Sequence, residues 1–89
     1  MSLTETRKLI EIKIHAYGPV KDYFEGSFFL KMNAGSTIAD LFSELKRIKP
    51  FSADILNSCR AAVCDEFSDA SHVLKDKEEI FLLPPASGG

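Results

Sequence analysis

The chain has 89 residues, 45% of them apolar, which allows one domain with one small core and no second. Its net charge of −2, from 13 acidic and 11 basic residues, excludes the basic excess of a nucleic-acid binder and leaves room for a protein partner. Two cysteines are too few for a secreted disulfide scaffold, residues 1–8 hold no signal-peptide core, and no stretch approaches the roughly 20 apolar residues of a membrane span, so a cytoplasmic protein with reduced thiols is expected.

In chain order, Ile10, Ile12, Ile14 and Ala16 alternate with Glu11, Lys13 and His15. A period of two with β-branched residues predicts a half-buried strand over 9–17. Gly18-Pro19 ends it, because proline has no N–H for the ladder. Residues 20–25 read as a turn, with a short helical turn as the alternative. Ser27 to Met32, rich in aromatics, is the second strand, and the short connection pairs the two as a hairpin.

Ser36 or Thr37 is placed to cap a helix, and Thr37 with Asp40 resembles a capping box. Ile38, Leu41, Phe42, Leu45 and Ile48 recur at helical spacing as one apolar stripe. Lys46 to Lys49 suits the negative end of the helix dipole, and Pro50 stops the helix. Residues 51–58 read as a linker with at most a helical turn. A short third strand is expected over Arg60–Cys64, a polar loop over 65–70, a short edge strand at His72–Leu74 and a charged turn over Lys75–Glu79. The continuous apolar run Ile80–Leu83 reads as a strand in the middle of the sheet.

The order strand, strand, helix, strand, short strand, strand gives an α+β domain over residues 1–83. The last strand is best placed beside the first in a mixed sheet, with the helix across one face. That is the β-grasp, or ubiquitin-like, arrangement. In the last strand Phe81 and Leu83 share one parity and Ile80 and Leu82 the other, and only one pair can face the helix. Ile80 and Leu82 being one choice, the other pair, with His15 and Arg60 or Ala62 nearby, is a candidate partner patch.

Residues 84–89 differ in character. Pro84-Pro85 enforces an extended, stiff backbone that cannot join a sheet, and Ala86, Ser87, Gly88 and Gly89 are all small. Two readings fit this composition. One is a frayed terminus. The other is a thin tail able to thread a narrow channel and deliver its carboxylate to another protein's site. An ionised carboxylate is a poor electrophile and would first need activation, for instance as an acyl adenylate.

Several stretches together resemble the small subunit of molybdopterin synthase, a family related to the thiamin-pathway sulfur carrier and to ubiquitin-like modifiers. They are Ile10–Ala16, Ser36-Thr37-Ile38-Ala39-Asp40-Leu41, Ala61-Ala62-Val63, the turn Leu74–Ile80 and, most specific, the ending Leu83-Pro84-Pro85-Ala86-Ser87-Gly88-Gly89. Three positions depart from the family pattern: Lys77 at a usual turn glycine, which suggests another turn geometry, Cys64 at a usual asparagine, and Leu83 at a usual aromatic.

The resemblance implies a sulfur carrier with no general base of its own, acting in a complex. Gly89 would be adenylated with ATP by an activating enzyme and converted to a thiocarboxylate by a sulfur donor. Pro84, Pro85, Ala86, Ser87 and Gly88 would thread the large synthase subunit, in an implied heterotetramer, with Leu83, Phe81, His15 and Arg60 at the interface. No bound cofactor is implied. A thiamin-pathway carrier, a ubiquitin-like modifier and a plain interaction domain are the alternatives.

Other candidate sites are weaker. Cys59 and Cys64 lack the further ligands a metal needs, with only His72 to recruit, and two cysteines cannot hold an iron–sulfur cluster of the plant ferredoxin type. His15 has no catalytic partner in sequence. Asp76, Glu78 and Glu79 lack calcium-loop spacing and read as a solvated turn.

Overall fold

The computed structural model describes residues 8–85. The first strand, β1 (Leu9–Ala16), buries Ile10, Ile12, Ile14 and Ala16, the residues its alternation selects. Gly18–Asp22 forms a 3-10 turn, with Val20 plugged into the core. The chain returns as β2 (Ser27–Asn33), antiparallel to β1 from Leu9↔Asn33 to His15↔Ser27.

Helix α1 (Ile38–Ile48) begins with both arms of the capping box in place. The Asp40 N–H donates to Thr37 Oγ1 at 3.3 Å, and the Thr37 N–H donates to Asp40 Oδ2 at 2.9 Å. The remaining free N–H groups of the first turn are also used: Ile38 N–H donates to His72 O and Ala39 N–H to Ala70 O, each at 3.0 Å. This explains a departure from the sequence expectation. His72–Leu74 is not an edge strand; its backbone seals the helix N-terminus, touching Thr37 through a single bridge at Val73. A helix end left with orphan donors would be unfavourable, and the segment is spent on that task.

Beyond Pro50, the expected linker folds as a 3-10 turn (Pro50–Ser52) and a short helix, α2 (Ala53–Asn57), which buries Leu56. Ser52 is fully buried, its hydroxyl donating to the Lys49 carbonyl at 2.6 Å. Strand β3 (Arg60–Val63) then turns through Cys64-Asp65 into β4 (Glu66–Ser68), with Val63 opposite Glu66. Residues 66–68 are thus the edge strand, where a loop was expected. The two-residue turn has φ of 53° at Cys64 and 67° at Asp65. Positive φ at both central residues is the geometry that matches the twist of a hairpin. Neither residue is glycine, so the usual turn signal is missing from the sequence.

Strand β5 (Glu79–Leu83) completes the sheet in its middle. The order is β2-β1-β5-β3-β4, with β5 parallel to β1 and antiparallel to β3. Helix α1 lies across one face, and Leu41 and Leu45 are sealed there against Ile12, Ile14, Ile80 and Leu82 in one cluster.

The charged turn before β5 is held more firmly than a solvated loop. Asp76 Oδ1 accepts from the Glu11 N–H at 2.8 Å. The Glu78 carboxylate accepts from the Lys75 N–H at 2.9 Å and meets His72 Nε2 at 3.0 Å. Lys77 has φ of 70°, so the position takes the left-handed geometry that a glycine would supply, against the expectation of a changed turn. Its N–H donates to Glu11 O at 2.7 Å, which fixes the strained residue in place.

Candidate functional site

Because β5 alternates, Ile80 and Leu82 go wholly into the core and Phe81 and Leu83 come to the opposite face. Pairing sets their neighbours there. His15 lies beside Phe81 on β1, while Ala62 and Arg60 lie beside Phe81 and Leu83 on β3. The structure therefore brings together the four expected interface residues Leu83, Phe81, His15 and Arg60, together with Ala62.

The face is built around stacked rings. The His15 and Phe81 rings are 4.4 Å apart and nearly parallel at 9°. Tyr17 follows on the same parity and stacks loosely on Phe81 at 6.3 Å. His15 Nε2 meets Glu79 Oε1 at 2.7 Å, so the imidazole is oriented by a carboxylate at its edge and an aromatic at its face. On the other flank the Arg60 guanidinium sits 3.8 Å from the Phe67 ring centroid, a cation–π contact across β3 and β4. Tyr17, Ala62, Asp65, Phe67, Phe81 and Leu83 line a shallow hollow. Phe67 and Tyr17 are nonetheless more than 40% exposed. Tyr17 was legible as the next residue of His15's parity. Phe67 depended on β4, which the sequence did not signal.

At the end of β5 the chain enters Pro84-Pro85. Proline has no N–H, so the ladder stops at Leu83. Pro84 is half-buried and Pro85 exposed. Ala86, Ser87, Gly88 and Gly89, the other expected tail residues, lie outside the described residues.

The remaining candidates separate from this face. Both thiols are free. Cys59 packs half-buried against the core, and burial pushes its thiol pKa up, so it stays protonated near neutrality. Cys64 is exposed at the tip of the β3–β4 turn. Among the described residues no group of three His, Cys, Asp or Glu side chains could hold a metal ion, and no helix is long and apolar enough to cross a membrane.

A sequence model of the ThiS family matches residues 15–89, most of the chain. The chain belongs to the ThiS family. Solved structures agree on the fold. A chain from the protein–protein complex of subunits 1 and 2 of molybdopterin-converting factor from Helicobacter pylori 26695 superposes with a TM-score of 0.65 at 28% identity, covering 90% of this chain and all of that one. Small archaeal modifier protein 1 from Haloferax volcanii has a TM-score of 0.77 at 10% identity, covering 86% and 99%. A ubiquitin from Caldiarchaeum subterraneum has a TM-score of 0.64 at 14% identity, covering 92% and 100%. No curated protein matches the chain. This ThiS-family domain is a ubiquitin-like β-grasp of the sulfur-carrier type, with a five-stranded mixed sheet as expected from the sequence.

Proposed function

We propose that this ThiS-family protein carries sulfur for molybdenum-cofactor synthesis, as the small subunit of a molybdopterin synthase. The observation that carries the reading is the family match extending to residue 89, which includes Gly88-Gly89 as well as the fold. The Pro84-Pro85 lead and the 28% identity to a chain of the Helicobacter molybdopterin-converting factor complex support the molybdopterin branch.

In this reading the aromatic face docks the domain on its partners and β5 points the tail at their active sites. The Gly89 carboxylate oxygen attacks the α-phosphorus of ATP and pyrophosphate leaves. The outer sulfur of a donor persulfide then attacks the acyl carbon and AMP leaves. A second thiol on the partner attacks the donor sulfur of the resulting acyl disulfide, forming a disulfide there and releasing the terminal thiocarboxylate. That sulfur next attacks the pterin precursor in the large subunit. Water hydrolyses the resulting thioester to return the Gly89 carboxylate and leave the sulfur on the pterin, and two such transfers build the dithiolene. The chain supplies the acyl group and its aim; the partners supply acid–base chemistry. The protein works in the cytoplasm, with ATP bound by the activating enzyme.

Intact mass tests this. Incubation with the cognate activating enzyme, ATP and a sulfur donor is expected to add about 16 Da, oxygen replaced by sulfur, and deletion of Gly89 to abolish the gain without unfolding the domain. No gain where a control carrier reacts would overturn the proposal. The modifier reading, favoured by the TM-score of 0.77 to the Haloferax protein, predicts lysine adducts instead. Dithiolene formation with a large synthase subunit, absent with thiazole-forming partners, separates the molybdopterin from the thiamin pathway.

A further inference from the structure

The parallel ladder between β1 and β5 runs to Ala16↔Leu82. Two residues further along each strand stand Gly18 and Pro84. The ladder cannot extend to Pro84, which has no N–H, so hydrogen bonding no longer sets the direction of the chain where it leaves the sheet. Packing takes over. A Cβ built on Gly18 would lie 3.1 Å from Pro84 Cγ and 3.8 Å from Pro84 Cβ, so the proline ring rests on the bare Cα of Gly18. Independently, Gly18 has φ of +58°, a conformation that disfavours a side chain. Pro19 and the 3-10 turn that buries Val20 anchor the backbone of Gly18 from the other side. The glycine is thus a rigid floor under the first residue of the tail.

We propose that Gly18 is a positioning residue that sets the angle at which the chain leaves β5 at Pro84, and so the aim of the carboxylate into the activating enzyme. The proposal rests on the sulfur-carrier reading for its functional consequence, while the contact itself stands apart from that reading. It touches no reacting atom. Its effect belongs to the alignment of the tail, where a misplacement of about 1 Å can lower a rate by orders of magnitude. Docking, carried by Phe81 and its neighbours, is separate.

The test is a double-variant cycle of Gly18→Asn and Pro84→Ala. Asparagine tolerates positive φ better than most residues, so it isolates the added Cβ from backbone strain. ATP-dependent adenylation by the cognate activating enzyme gives kcat and KM, and thermal unfolding is followed in parallel. Gly18→Asn is expected to lower kcat about tenfold with KM within about twofold, the signature of a docked but misaimed tail. Once Pro84→Ala has removed the ring, adding Gly18→Asn is expected to change little, so the two effects do not multiply.

An unchanged kcat for Gly18→Asn, a rise in KM alone, or effects that simply multiply would each overturn the proposal. Should Gly18→Asn fail to fold, recovery of folding in the double variant supports the contact, and no recovery overturns it. If the unmodified protein is not adenylated at all, the sulfur-carrier reading fails. Coupling in the unfolding cycle still reports whether the ring rests on Gly18, and its absence then overturns the positioning role as well.

Discussion

The two faces of the central sheet obey different rules. The helix side carries Ile12, Ile14, Ile80 and Leu82, all fully buried and all aliphatic. The outer side carries His15, Tyr17, Arg60, Phe67, Phe81 and Leu83, where rings are stacked on one another or under a guanidinium and remain partly exposed. The first face is filled for volume and dryness, which stabilises the domain through burial. The second holds large apolar bodies with polar edges, the composition of a surface that must be soluble alone and still become dry against a partner. One strand, β5, contributes alternate residues to both, so a single element couples the stability of the domain to its presentation.

Truncating adjacent residues of β5 gives the largest expected effects and the sharpest break between the faces. Leu82→Ala is expected to destabilise by about 3 kcal/mol, measured by denaturant unfolding, because it leaves a cavity under α1. Phe81→Ala is expected to lower stability by only about 1 kcal/mol yet weaken binding to the large synthase subunit by about 2 kcal/mol, roughly thirtyfold, in a calorimetric titration. Equal stability losses with unchanged binding would erase the distinction between the faces.

A smaller effect of opposite sign is expected in the turns, which belong to neither face. Lys77→Gly relieves left-handed strain of about 1–2 kcal/mol, partly offset by the extra chain entropy of glycine, for a net gain of about 0.5 kcal/mol in unfolding free energy. The backbone bond to Glu11 should persist, since it involves only the N–H.

The smallest effect concerns pH. Burial holds the Cys59 thiol protonated to higher pH than in the unfolded chain. A raised folded pKa means that the stabilising contribution is present in full below the unfolded value and is lost as pH rises through the folded one. Thermal melts above the ordinary thiol range should therefore show a slight alkaline loss that Cys59→Ala removes, and alkylation should label exposed Cys64 before Cys59.

Much of this was legible in the sequence, for reasons visible in particular residues. The alternation from Ile10 to Ala16 and the stripe from Ile38 to Ile48 are strong periodic signals, and both elements form as read. The parity of the last strand separated Phe81 and Leu83 from Ile80 and Leu82, and the burial of the second pair against the helix leaves the first on the outer face. Strand β4 was hidden because its turn uses Cys64-Asp65, where a hairpin normally advertises itself with Asn-Gly. Helix α2 was hidden because five residues are too few to show a period. Val73 and Leu74 have strand-like character, but their segment is consumed by the helix N-terminus, a tertiary demand that local pattern does not carry. Gly18 read as a strand terminator, and its second role depends on Pro84, 66 positions away in the chain and adjacent only through the parallel pairing of β1 and β5.

That pairing has a consequence for the order in which the molecule can be made. Strand β5 fills the gap between β1 and β3, yet follows all the other strands in the chain. Until it arrives, β1–β2 and β3–β4 are two separate hairpins with no shared ladder. Closing a loop of some seventy residues is slow compared with local hairpin formation, so docking of β5 is expected to be the late, organising event of folding. An emerging chain therefore has neither the aromatic face nor the Gly18 floor. On the proposed sulfur-carrier reading, an activating enzyme would meet a directed tail only on a domain whose sheet is already complete, and folding itself would act as the checkpoint before ATP is spent.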